Sequence, residues 1–155
     1  MAQHASVSVR VAAPASRVFT LVSDLSRMGD WSPECERVEW LDGAKGTAVG
    51  ARFKGHNRRG QRRWSTNGKV VALEDGREVA FDITSVANLP VARWTYRVEA
   101  EGDDACTLTE RWDDRRGSVM KVLGRLATGV KDRDEHNTKG MEETLQRIKA
   151  AAETQ

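Results

Sequence analysis

Hydrophobic and polar residues alternate along most of this chain, and the points where the alternation starts, stops or changes period divide it into elements. In "ASVSVRV" the residues Val7, Val9 and Val11 share one face, the pattern of a half-buried strand. Pro14 then opens a helix, because proline is tolerated in the first turn, and Val18, Val22 and Leu25 make its inner stripe. "SDLSRMGDW" restarts with Ser23 or Asp24 as a cap and stops at Gly29, which predicts a short second helix. Trp31-Ser32-Pro33 reads as a bend.

From Glu36 the period is two for about eighty residues. Val38 and Trp40 share a face, then Phe53, Gly55 and Asn57, then Trp64 and Thr66. Val79, Phe81 and Ile83 follow, then Trp94, Tyr96 and Val98, and finally Cys106, Leu108, Glu110 and Trp112. Turn signals fall at Asp42-Gly43, Arg59-Gly60, Asp75-Gly76 and Gly102-Asp103. Six consecutive strands with short turns predict an antiparallel meander.

Near Ser118 the period switches to 3.6. Val119, Leu123, Leu126, Val130, Met141, Leu145, Ile148 and Ala152 form one stripe. They predict a single long C-terminal helix of about 30 residues and about 45 Å. Gly124, Gly129 and Gly140 weaken it by about 1 kcal/mol each relative to alanine, so a kink or a close backbone approach is expected. There are no repeats, low-complexity segments or linkers, and a chain of 155 residues suits one domain spanning residues 1–155. The expected fold is α+β in the order β-α-α-β6-α, with one curved antiparallel sheet wrapped around the long helix.

This order resembles the helix-grip fold of the START-like (SRPBCC) superfamily, and within it the polyketide cyclase/dehydrase and lipid-transport group. The stretches that carry the resemblance are "APASRVFTLVSDLSRMGDWSPE", "GARFKGHNRRGQRRWSTNGKVVALEDGREVAFDI", "WTYRVEAE…CTLTERWD" and "HNTKGMEETLQRIKAAAE". They span nearly the whole chain, and none is a catalytic signature. The resemblance implies a deep cavity between sheet and C-terminal helix, and a lipid-like, polyketide-like or other hydrophobic ligand. Its related groups include aromatase/cyclases, plant hormone and allergen proteins, ubiquinone-binding proteins and ribosome-associated toxins, so the fold alone does not assign an activity.

With a cavity expected, the inward aromatic residues become candidate ligand contacts. The chain has five tryptophans against three phenylalanines and one tyrosine. Trp64, Trp94, Tyr96 and Trp112 are expected to line the cavity, with Phe53 and Phe81, and Trp31 to lie near its entrance. Otherwise they are ordinary core. Ligand pockets are mostly apolar with a few placed polar groups, and the polar residues on apolar faces are the other candidates. Asn57 and Glu110 interrupt strand faces, while Asp134 and Asn137 interrupt the helix stripe before Met141. A buried carboxylate costs several kcal/mol unless paired or protonated. Glu110 either binds a ligand's polar group or forms a salt bridge, for example with Arg133. Glu110 is also the candidate catalytic base of a cyclase or dehydratase, with Tyr96 or Asn57 as hydrogen-bond donors.

No cofactor is expected. His56 points outward by alternation, His136 is one residue off the stripe, and neither has zinc-ligand spacing. There is no GxGxxG, P-loop or GxSxG. Cys35 and Cys106 lack CxxC spacing and read as buried free thiols. Without an apolar leader, or any run near the roughly 18 apolar residues of a membrane span, the expected location is cytoplasmic. Oligomeric state stays open between monomer and homodimer.

Net charge is only +2, yet Gly43 to Leu73 contains no acid and eight bases: Lys45, Arg52, Lys54, Arg58, Arg59, Arg62, Arg63 and Lys69. This is either a solvated hairpin whose charges protect a sheet edge and pair with Glu36, Glu39, Asp82 or Glu99, or a docking face for phosphate, RNA, a ribosome or an anionic headgroup. Since Trp64 faces inward and no aromatic is free for base stacking, nucleic acid is not the expected partner. The reading is therefore a binding or carrier protein for a hydrophobic small molecule. An aromatase/cyclase-like enzyme is the alternative, and an RNA-directed interaction protein the second alternative.

Overall fold

The computed structural model describes residues 4–129 and 133–154. The elements are β1 (His4–Val11), α1 (Ala15–Ser23), a 3-10 turn (Leu25–Arg27), α2 (Met28–Trp31), β2 (Cys35–Trp40), β3 (Arg52–Arg59), β4 (Arg62–Glu74), β5 (Glu78–Thr84), β6 (Pro90–Ala100), β7 (Cys106–Asp114), α3 (Ser118–Thr128) and α4 (Arg133–Glu153). All seven strands form one antiparallel sheet in the order β1-β7-β6-β5-β4-β3-β2. The meander supplies six neighbours, and β1 closes onto β7. Register shifts in β2, β4 and at the end of β5 mark bulges, which bend strands and increase twist. The curved sheet grips α4, as in the helix-grip fold.

The turns follow the expected chemistry. Gly43, Gly60, Gly76 and Gly102 all have positive φ, the left-handed region where glycine carries no Cβ penalty. Asp24 caps the 3-10 turn by accepting the Ser26 N–H. Gly29 does not stop the second helix, which runs on to Trp31. Its role is close approach: a Cβ there would overlap the Glu36 carbonyl of β2. Gly29→Ala must push α2 away from β2. It should lower stability by about 2 kcal/mol, read as a shift in urea midpoint, and an unchanged midpoint would contradict this account.

The single long helix is corrected to two. Gly129 has φ +74, and its N–H closes on the Arg125 carbonyl at 2.8 Å, so α3 ends in a left-handed cap. The apolar stripe did not reveal the break because both helices keep apolar residues in phase. Met141, Leu145, Ile148 and Ala152 are buried on α4, whereas Leu123 is 49% and Leu126 70% exposed on α3. Val130, and the side chains of Val119 and Asp134, lie outside the described residues. The break lets α3 leave the α4 axis and lie against β4.

The interior is divided along the strands. At one end Val11, Val18, Val22, Leu25, Val98 and Leu108 pack with Leu145 and Ile148 into a solid core. At the other end α4 stands off the sheet and α3 covers the gap, with Trp94, Trp112 and Met141 at the boundary.

Candidate functional site: a lidded cavity with a buried acid

The space at the open end is a cavity of about 490 Å³. Sheet residues form its floor and the first half of α4 one wall. Met120, Leu123 and Ala127 of α3 line the opposite side. Exposed Val86 and Leu89, in the loop between β5 and β6, stand at its rim.

The strand alternation placed most of the expected residues here. Phe53, Asn57, Trp64, Phe81 and Trp94 line the cavity, and so do Tyr96, Glu110, Trp112, Asn137 and Met141. Trp31 does not. It is buried in the solid core, its ring lies 4.7 Å beneath the Arg27 guanidinium, and its carbonyl accepts a hydrogen bond from Arg147 at 3.1 Å. The bend that follows does reach the cavity, which Ser32 and Pro33 line.

Register brings the polar pair together. Tyr96 of β6 sits opposite Glu110 of β7, flanked by the Trp94–Trp112 pair. The Tyr96 hydroxyl donates to Glu110 Oε1 at 2.8 Å. Glu110 Oε2 is buried with no hydrogen-bond partner among the described residues. Burial pushes the Glu110 carboxyl up to about 8, against a smaller lowering by the Tyr96 hydrogen bond. Burial, and then the neighbouring Glu110, push Tyr96 well above its ordinary range, so it remains an O–H donor. Asn57 Nδ2 donates to Thr66 Oγ1 at 3.2 Å on the facing strand.

The anticipated Glu110–Arg133 bridge is absent from the hydrogen bonds and ion pairs of Glu110 among the described residues. Arg133 instead binds Glu34, with Nη1 3.0 and 3.1 Å from its two oxygens. Arg133 Nη2 also donates to Thr128 Oγ1 at 2.8 Å. His136 Nε2 lies 2.7 Å from Glu34 Oε2. Burial alone would raise the Glu34 pKa, but the His136 hydrogen bond and the Arg133 charge outweigh it and hold the carboxyl below its usual range. This cluster ties the segment before β2 to the end of α3 and the start of α4, and all four side chains line the cavity. Glu34 follows Ser32-Pro33 in a loop, where no periodicity could flag it.

Two other residues escaped the pattern. Arg116, just beyond β7, lines the cavity while its Nε and Nη2 each donate to Asp114 at 2.9 Å. Cys35 lines it too, partly buried where a buried thiol was expected. Burial raises that thiol to about 11, so it stays protonated and a weak nucleophile. Among the described residues no group of three or more His, Cys, Asp or Glu is arranged to hold a metal ion, and no helix is long and apolar enough to cross a membrane.

Four of the eight bases of the hairpin stretch, with His56, are engaged within the molecule. Arg62 Nη1 donates to the Leu126 carbonyl at 2.6 Å and Arg59 Nη1 to the Thr128 carbonyl at 3.3 Å. Both cap the C-terminal carbonyls of α3, the end of a helix that favours cations. Arg58 pairs with Glu36, Arg52 with Asp42, and His56 lies 3.3 Å from Glu39. Two arginines of the hairpin therefore hold the lid helix in place.

Residues 2–153 match the family described as polyketide cyclase/dehydrase and lipid transport. The chain belongs to that family. No curated protein sequence matches it. Among solved structures, the family member is similar to the Polyketide_cyc-like protein Cgl2372 of Corynebacterium glutamicum, with 30% identity over 97% of this chain and 83% of that one and a TM-score of 0.54. It is also similar to the ZhuI aromatase/cyclase of Streptomyces sp. R1128, at 19% identity, 99% and 94% coverage and TM-score 0.69. Norcoclaurine synthase of Thalictrum flavum is a third, at 16% identity, 97% and 96% coverage and TM-score 0.65. Likeness at the latter two identities establishes the fold alone.

Proposed function

We propose that the protein takes up a hydrophobic, lipid- or polyketide-like small molecule in the cavity and acts as a binding or carrier protein. The cavity itself carries this reading: about 490 Å³ walled by Trp64, Phe81, Trp94 and Trp112 and covered by α3. A solid protein of this size packs such aromatics against one another. Here Trp64, Trp94 and Trp112 line open space, and Phe81 lines it while also packing edge-on against Phe53, in a size range typical of ligand sites. The family's description, which names both cyclase/dehydrase activity and lipid transport, supports the same class.

Native mass spectrometry of freshly purified protein tests the reading. A discrete added mass that disappears on denaturation is expected, and hydrophobic probes should quench tryptophan emission with saturation. Trp94→Ala should weaken such a probe by about tenfold, the loss of roughly one aromatic contact of about 1.4 kcal/mol. Unaltered affinity in that variant would move the binding elsewhere.

Glu110 favours a second reading, general acid–base catalysis of cyclisation or dehydration. An acid poised at about 8 inside an apolar cavity suits proton transfer near neutral pH, and two of the similar structures are named as an aromatase/cyclase and a synthase. Conversion of a bound polyketide-like probe that vanishes in Glu110→Gln supports this alternative. Release of the probe unchanged supports carriage.

A further inference from the structure

The unpartnered oxygen of Glu110 says what the ligand must bring. Buried polar atoms in folded proteins are nearly always hydrogen-bonded. Oε2 is an exception, and it belongs to a side chain only 3% exposed that lines the cavity. The cavity that Glu110 lines is where a bound molecule would supply that partner.

The groups around it define that partner's chemistry. Tyr96 has one O–H, and it is occupied on Oε1. Among the described residues, the cations that line the cavity are engaged: Arg133 and His136 on Glu34, Arg116 on Asp114. From β1, Val7 lies opposite Glu110 and offers no charge. From β2, Cys35 offers a protonated thiol, and the α4 residues that line the cavity beside His136 and Arg133 are Asn137, Gly140, Met141 and Thr144. Among the described residues, burial and the Tyr96 hydrogen bond are what act on the proton affinity of Glu110, and no cation does. A carboxylate in that setting would be an uncompensated buried charge, and such groups neutralise instead. A neutral carboxyl already accepting on Oε1 keeps one hydrogen to donate, from Oε2.

We propose that Glu110 serves as a neutral carboxylic acid donating its O–H to the ligand, so that the cavity selects hydrophobic molecules bearing an uncharged carbonyl oxygen, such as ketones, quinones or esters, over fatty carboxylates and amines. This rests on the reading that the cavity holds a hydrophobic molecule. A carboxylate ligand would bury its own charge without a cation. An ammonium ligand would need Glu110 ionised, and both ions would lose their hydration in an apolar wall. A carbonyl satisfies Oε2 at no charge cost.

Four probes of one shape test this by tryptophan quenching: acetonaphthone, ethylnaphthalene, naphthoate and naphthylethylamine. At about pH 6 the ketone should bind about tenfold tighter than the hydrocarbon, the value of one buried hydrogen bond, and tighter than both charged probes. At about pH 10 Glu110 is ionised and that preference should disappear. Glu110→Gln, whose amide can also donate, should keep part of the preference at both pH values, and Glu110→Ala should lose it at both. The proposal is overturned if the amine or the carboxylate binds best, if ketone and hydrocarbon bind alike at about pH 6, or if the ketone preference survives in Glu110→Ala. In each of those cases the cavity still binds. If none of the four saturably quenches the wild-type protein, the hydrophobic-ligand reading fails and takes this proposal with it.

Discussion

Wild-type protein should lose stability as pH rises from about 4.5 to about 8, and Glu110→Gln should not. The ordinary value for Glu110 is 4.5, and burial raises it to about 8 in the folded state. Below about 4.5 the carboxyl is protonated whether the chain is folded or unfolded, so it adds no pH dependence there. Between the two values the folded protein retains a proton that the unfolded chain has released. Stability then falls with rising pH, because the folded state binds more protons. Above about 8 the full cost is in place. At 1.36 kcal/mol for each unit, that cost is on the order of 5 kcal/mol. Glutamine has the same shape, its oxygen can accept the Tyr96 hydrogen bond, and it does not titrate. Urea unfolding at about pH 5 should therefore give similar stabilities for the two proteins. At about pH 9 the variant should be the more stable by several kcal/mol. Parallel pH profiles would show that Glu110 is hydrated or paired in solution.

Arg116→Met is expected to have an effect of similar size and opposite sign. The Asp114 side chain is 2% exposed and that of Arg116 12%. The guanidinium binds both carboxylate oxygens at 2.9 Å, and the Arg116 backbone N–H adds a third bond at 3.0 Å. Burial alone would raise the Asp114 pKa, but these bonds and the charge of Arg116 hold it below the ordinary 3.8. The pair therefore stabilises the fold above about 3.8, and that contribution is lost as pH falls through the lower folded value. Removing the guanidinium leaves a buried carboxylate with a single N–H, a change that costs about 3 kcal/mol. The loss should be largest at neutral pH and shrink toward about pH 4, where protonation removes the orphaned charge. Adding Asp114→Asn should restore most of the stability at neutral pH. If the double variant is as unstable as Arg116→Met, the arginine acts through packing of its stem and not through its charge.

Glu110 and Arg116 differ in how far the sequence announced them. Glu110 stands between Leu108 and Trp112 on an alternating face, and alternation is a local property of extended backbone that one segment displays by itself. The same local rule placed Trp64, Trp94, Tyr96 and Trp112 inward. Arg116 lies past the end of β7, where no period operates. Its importance comes from a buried neighbour two residues away.

The sequence by itself determined the order of elements, the turns, the face of each strand and the inward position of Glu110, because each of these follows from a backbone period or a glycine's freedom within a few residues. Tertiary structure alone decided the rest. It set the register that puts Tyr96 opposite Glu110, and it gave Arg133 to Glu34 and not to Glu110. It ended α3 at Gly129, where a penalty of about 1 kcal/mol in the local pattern did not reveal that the chain turns to cover a cavity. It also moved Trp31 into the solid core. These are relations between segments far apart in the chain, and they are settled by which surfaces remain to be buried once the sheet has curved.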